Sequence, residues 1–477
     1  MKKQVGIMLI LLATGISVTA QNERDAFRYA EYSPTGTARY SALAGSMGAF
    51  GADFSCLSAG NPAGLGLFKR FEFTITPALS YNRITSTYNE EQHSGTKYAF
   101  VTNNLGVVFV GKTDTATGWK KVQFATGLNN LARYDGSFVV AGPNEGATSF
   151  FDYIAQLSNI TNPLDSFAYY ALKYGLIGGS QKNGYYSLVD ADLNQQQFLT
   201  TSGYLNEYVF SLGGNYNDKL FLGATLGIPF FKYEERLTYT ESRNHFYDSL
   251  IVFEDFNSKA TGINLKLGII YQPFKYMRLG AAFHTPTLYP KVRENYETSY
   301  EAWGVPVDSF YYDIWKKEDG GFDYQLRTPY HAMANVAFIY KNKGFINIDY
   351  EYVDYAVSEF QSDLNTFSIV NEQIRNYYKG THTIRIGGEC NLSPLAFRLG
   401  YAYTSNPYTK EIEKDGSRHT ISAGIGIKAK YFFTDFAYIH RISKDKDVFY
   451  SHESVNPYTS SITNQFFVLT LGWKIKM

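Results

Sequence analysis

The chain has 477 residues, room for about two or three ordinary globular domains, yet no composition break or linker divides it. Its 44 Lys and Arg are cancelled by 44 Asp and Glu, which removes the electrostatic reason to expect nucleic acid as a partner. Aromatic residues reach 17% while charged ones stop at 18%, a balance suited to a chain with aromatic girdles at two membrane interfaces.

The N-terminus reads as a secretory signal over residues 1–20. Lys2 and Lys3 give the positive region, Val5 to Leu12 the apolar core, and Val18-Thr19-Ala20 the small-residue cleavage site, so the mature chain is expected to start at Gln21. No Cys stands at that point to carry a lipid anchor, and no run of about 18 apolar residues follows to form a transmembrane helix. Residues 21–69 do not alternate like strands. Glu23 to Ala30 predicts a short helix, and the Gly/Ala-rich stretch Ala42 to Gly66 ends in the turn signal Asn61-Pro62. A segment this size cannot bury a core alone, so the lumen of a following barrel is its expected place. Cys56 and Cys390 are isolated small residues for which no bridge is expected.

From residue 70 to 477 the chain predicts an all-β, antiparallel transmembrane barrel of about 14 strands: Phe71–Tyr81, Tyr98–Val110, Trp119–Tyr134, Gly203–Asn215, Lys219–Thr238, Thr261–Tyr271, Tyr276–Thr285, Tyr324–Tyr340, Gly344–Tyr355, Thr381–Cys390, Leu395–Thr404, His419–Lys428, Tyr431–Arg441 and Asn464–Lys476. Phe397, Leu399, Tyr401 and Tyr403 share one strand face, while Arg398 and Gly400 take the other. Tight turns at Asn217-Asp218, Gln272 to Lys275, Lys341 to Gly344 and Asn391 to Pro394 alternate with long polar stretches, Gly142–Ser202, Tyr289–Gly321 and Ala356–Lys379. Short turns on one side and long loops on the other describe a bacterial outer-membrane barrel. One long loop differs: Phe150, Phe151, Ile154 and Leu157 recur at helical spacing, giving either an exposed apolar patch that needs a partner or the core of a lid.

Catalytic chemistry is not expected. The eight histidines are scattered, with no H-E-x-x-H and no Cys/His spacing for zinc, and no metal or cofactor is implied. Arg278, Arg385 and Arg398 fall on the lumenal face. There they would either hold an anionic head group or pair with lumenal acids such as Glu351 and Glu389.

Gly45-Ser46-Met47-Gly48-Ala49-Phe50-Gly51-Ala52-Asp53 followed by Asn61-Pro62-Ala63-Gly64-Leu65 resembles the hatch signature of the FadL/TodX family of outer-membrane transporters for long-chain fatty acids and other hydrophobic compounds. Phe124 to Asn129 with Tyr134 to Phe138, Phe397 to Tyr403 and Phe432 to His440 are similar to that family's third and late strands. The resemblance implies a fourteen-stranded barrel plugged by an N-terminal hatch, with Asn61, Pro62, Ala63 and Gly64 as the hatch motif. It also implies a lateral opening at an inward kink over Gly127, Leu128, Asn129 and Asn130, and a capture loop carrying Phe150, Phe151, Ile154 and Leu157. The expected partners are outer-membrane lipid and a hydrophobic small molecule, with the protein a monomer. The alternative is an interaction scaffold, because some FadL-like barrels of Bacteroidetes-type bacteria resemble shuttle subunits of type IX secretion.

Overall fold

The computed structural model describes residues 23–475 except 34, 113–117, 145–147, 161–165, 190–191, 243–246, 308–309, 363–366 and 453. The expected signal segment lies outside the described residues. Fourteen barrel strands follow one another: β1 (Phe71–Tyr88), β2 (Glu91–Lys112), β3 (Trp119–Arg133, resuming as Gly136–Pro143), β4 (Asn194–Tyr216) and β5 (Leu220–Ser242). Next come β6 (Ser249–Thr261 with Asn264–Phe274), β7 (Met277–His284 with Leu288–Val307), β8 (Phe310–Arg327 with His331–Tyr340) and β9 (Gly344–Asp354). The series ends with β10 (Gly380–Leu392), β11 (Leu395–Thr404), β12 (Arg418–Lys428), β13 (Phe432–Asp447) and β14 (Tyr458–Ile475). Each pairs antiparallel with the next, and β14 returns to β1, from Phe71 opposite Ile475 to Thr87 opposite Thr459. Closure pairs each strand with both neighbours around the ring over part of its length, which is what a β-structure needs to cross lipid.

The side-chain alternation agrees with that setting. On β11, Phe397, Leu399, Tyr401 and Tyr403 are exposed, while Ala396, Arg398 and Ala402 are buried inside. Trp119, Tyr216, Tyr271, Tyr276, Tyr340 and Tyr431 are exposed close to the tight turns, where an amphipathic ring meets both acyl chain and water. The chain is an outer-membrane barrel.

Several strands run further than their alternation predicts. Tyr289–Gly321 does not form a loop: β7 and β8 continue as a hairpin from Leu288 opposite Arg327 to Ala302 opposite Ile314 and beyond. Residues 82–97 likewise form a continuous β1–β2 hairpin, turned by Asn89 and Glu90 at φ 42 and 67, a two-residue turn with both residues left-handed. These extensions stand clear of the apolar band, so neither face has to be greasy and the period-2 signal fades while the pairing persists.

Inside the ring lie α1 (Glu23–Ala30), α2 (Ala38–Ala42), α3 (Cys56–Ala59) and a 3-10 turn (Pro62–Leu67). Their side chains join the wall in one apolar cluster that includes Tyr29, Tyr40, Leu43 and Met47 with Phe231, Tyr289, Tyr324 and Phe345. Lumenal glycines make the fit possible. A Cβ on Gly223 would lie 2.2 Å from the Pro62 carbonyl, and one on Gly400 would lie 2.3 Å from the Leu43 backbone. Cys56 and Cys390 are both free.

Candidate functional site

Three features meet in the upper lumen: the N-terminal segment, a break between β2 and β3, and a cavity under the loops. Asn61 is fully buried. Its Oδ1 accepts from Ala63 N at 3.0 Å, and its Nδ2 donates to the Ile269 carbonyl at 3.1 Å and the Ala281 carbonyl at 3.2 Å. One side chain therefore both caps the Pro62 turn and fixes it to β6 and β7, while Pro62 at the first helical position loses no hydrogen bond there. His284 Nε2 meets the Gly60 carbonyl at 2.8 Å, Gly48 N donates to Asp349 at 2.9 Å, and Arg39 Nε reaches Glu389 at 2.8 Å. Within the segment, Asp53 accepts from Ser55 N at 2.9 Å and from the Thr37 hydroxyl at 2.7 Å. Burial holds its carboxyl above the usual range in spite of those bonds.

The pairing of β2 with β3 runs only from Lys112 opposite Lys121 to Asn104 opposite Asn129. Above that point β2 pairs with β1 alone, so among the described residues its edge over 91–103 has no partner strand. β3 instead stays with β4 through a register shift between Asn130 and Ala132, then resumes at Gly136–Pro143 opposite Thr201–Asn194. The bulge turns Leu131 fully inward, into the cluster that holds the N-terminal segment. Ser33 N donates to the Leu131 carbonyl at 2.8 Å, and Thr35 Oγ1 donates to Asn130 Oδ1 at 3.0 Å. A Cβ on Gly127 would fall 2.1 Å from the Leu105 carbonyl and 2.7 Å from Phe54, so only glycine lets Phe54 and β2 approach here. Gly127, Leu128, Asn129 and Asn130 thus lie at the parting of the two strands.

Tyr98 and Phe100, 66% and 78% exposed, stand on the free stretch of β2. Lys97 Nζ spans inward to the Thr201 carbonyl at 2.7 Å. Asn103, 1% exposed, sits where the strands separate, and neither of its amide atoms has a partner among the described residues. A buried amide without hydrogen bonds is costly and calls for an explanation.

Over the lumen, α4 (Phe150–Ile160) and α5 (Ser166–Lys173) form a lid. Phe151 packs in the lid core, its ring 6.0 Å from Phe167 and 5.6 Å from Tyr247. Phe150, Ile154 and Leu157 instead line a cavity of about 1310 Å³ whose floor is α1. Glu241, fully buried, anchors the lid: it accepts from Phe150 N at 2.7 Å, Ser149 Oγ at 3.0 Å, Tyr239 at 2.6 Å and Tyr247 at 2.6 Å. A carboxylate at the start of a helix also complements its dipole. The sequence gives no hint of this role, because Glu241 lies outside every periodic stretch.

The three lumenal arginines divide. Arg398 pairs with Glu389 at 2.7 Å and Asp435 at 2.6 Å, and Arg385 pairs with Glu351, which also meets His331. Arg278 has no acid partner among the described residues. It donates to the Phe50 carbonyl at 2.8 Å and to Gln272 at 3.0 Å. A smaller cavity of about 250 Å³ beside the β3 bulge carries Arg28, Arg133, Arg418, Arg441 and Lys444 against Glu31, Asp135 and Asp445.

No protein-family model matches the chain, and no curated protein sequence matches it. Solved structures share the fold across almost their whole length. A Pseudomonas aeruginosa FadL homologue aligns with TM-score 0.58 at 13% identity, covering 93% of this chain and 99% of its own. The P. putida toluene transporter TodX gives 0.55 at 12%, covering 94% and 100%. The Ralstonia pickettii toluene transporter TbuX gives 0.52 at 16%, covering 92% and 98%. At these identities the likeness is one of fold.

Proposed function

We propose that the protein admits hydrophobic small molecules through the outer membrane by a passive route that leaves sideways, between β2 and β3. The observation that carries this reading is the unpaired edge of β2 beside the inward bulge of β3. Backbone groups facing lipid without partners cost several kcal/mol each, so the edge of β2 left open over residues 98–103, below the β1–β2 extension and beside the bulge, marks a place kept for use. A ligand enters the cavity beneath α4 across Phe150, Ile154 and Leu157. Residues 21–69 act as a hatch that blocks the direct path and is seated on the bulge, and Gly127 to Asn130 form the kink that holds the opening. A long alkyl chain gains about 0.8 kcal/mol per buried methylene, so a route from an apolar cavity into acyl chains avoids the barrier an aqueous bore would raise. Arg385 and Arg398 serve the wall rather than the ligand, since their charge is already met. Two of the structures sharing the fold are toluene transporters, which supports an apolar cargo.

The test replaces Lys97 and Thr201 with cysteine in a Cys390→Ser background and bridges them with a short thiol cross-linker. Uptake of a radiolabelled hydrophobic probe by cells should fall severalfold on cross-linking, with surface expression unchanged. Uptake at the uncross-linked rate would refute the lateral route.

A further inference from the structure

The cavity under α4 carries a charge that bears on what it can hold. Nine carboxylates line it, Glu235, Glu254 and Glu297 among them, against three cations, Arg24, Arg28 and Lys414. Sixteen aromatic rings share the same walls, including Phe150, Tyr239, Phe256, Tyr300, Phe367 and Tyr458. Several acids are met: Asp447 by Arg24 at 2.6 Å and Glu297 by Lys317 at 2.7 Å. Glu254 is not. It makes no hydrogen bond and no ion pair with any described residue, and the charge that acts on it is the like-charged Glu235. Two further polar side chains of the cavity also lack partners among the described residues. Gln197, 5% exposed, has an unpaired Oε1, and Ser460, 7% exposed, has an unpaired Oγ.

An unmatched carboxylate, orphaned acceptors and many π-faces describe one complementary ligand. We infer that this cavity selects an apolar molecule bearing a positively charged nitrogen, a lipophilic amine or quaternary ammonium, and disfavours carboxylates of the same chain length. The nitrogen is attracted by Glu254 and by the negative faces of the surrounding rings. An alkanoate meets the like charge of Glu254, which has no counter-charge among the described residues. The basic residues of the smaller cavity below, Arg133, Arg418 and Arg441 among them, keep a cationic nitrogen in the upper chamber. This inference rests on the uptake reading and narrows it to a substrate class.

The experiment measures binding of octyltrimethylammonium, octanol and octanoate by equilibrium dialysis against the full-length barrel in phosphatidylcholine nanodiscs, wild type and Glu254→Gln. The expected order is ammonium, then octanol, then octanoate, with about tenfold between the first and the last, the size of a partly desolvated cation–π and charge contribution. Glu254→Gln should bring the ammonium-to-octanol ratio close to one. Octanoate binding as tightly as the ammonium, or a ratio unmoved by Glu254→Gln, overturns the inference. Octanol binding with no charge preference also overturns it while sparing the uptake reading, whereas failure of all three probes to bind overturns both.

Discussion

Asn129 donates through Nδ2 to the Ser58 hydroxyl at 2.7 Å, and its own Oδ1 accepts from Asn104 at 2.8 Å. The side chain that ends the β2–β3 pairing is therefore the one that grips the N-terminal segment. One hydrogen-bond chain thus joins the N-terminal segment to the point where the two strands part.

Asn61→Ala removes the cap of the Pro62 turn and the amide contacts to β6 and β7. With about 1 kcal/mol for each lost bond, the seat of residues 36–68 should weaken by roughly 2–3 kcal/mol while the barrel stays closed. Hydrogen exchange should show faster exchange across the segment, heat-modified gel mobility should be unchanged, and uptake of a hydrophobic probe should drop. Normal uptake by a correctly inserted variant would exclude the segment from the route.

Gly127→Val places side-chain atoms where the Leu105 carbonyl and Phe54 already stand. Overpacking of this kind costs about 1–3 kcal/mol, and the only space available is gained by moving β2 or Phe54. The urea midpoint in detergent should fall. An unchanged midpoint contradicts the close packing of Gly127 against Phe54 and β2.

Glu207 and Lys266 form an ion pair in which both side chains are fully buried. Lys266→Met alone leaves a buried carboxylate unmatched and should cost about 3–5 kcal/mol, whereas Glu207→Leu together with Lys266→Met should recover most of that loss. Equilibrium unfolding of the two variants and the wild type measures the coupling. Arg398, held between Glu389 and Asp435, should behave in the same way, with Arg398→Met lowering stability and leaving the selectivity of uptake among probes unaltered.

Asn103 makes no hydrogen bond in its buried position, so Asn103→Leu should stabilise the barrel by about 1–2 kcal/mol. If the amide serves the opening, the same variant should pass the probe more slowly. Greater stability with undiminished uptake would assign Asn103 no part in the route, and lower stability would show that its amide is satisfied in the working protein.

The sequence by itself determined the number and order of the membrane strands. Phe397, Leu399, Tyr401 and Tyr403 had to share a face because lipid disfavours polar side chains, and the tight turn Asn217-Asp218 is written in residues that tolerate a left-handed backbone. Where that solvent constraint lapses, the legibility lapses too. The hairpin from Leu288 to Arg327 has water on one side and protein on the other, so its alternation is weak and it reads as a loop. Only the tertiary structure decided the partners of the lumenal charges, because Arg398 finds Glu389 and Asp435 across strands whose register no single stretch encodes. It alone also parted β2 from β3 and put Glu254 in a cavity without a counter-charge, since both depend on where the ring bends rather than on which residues compose it.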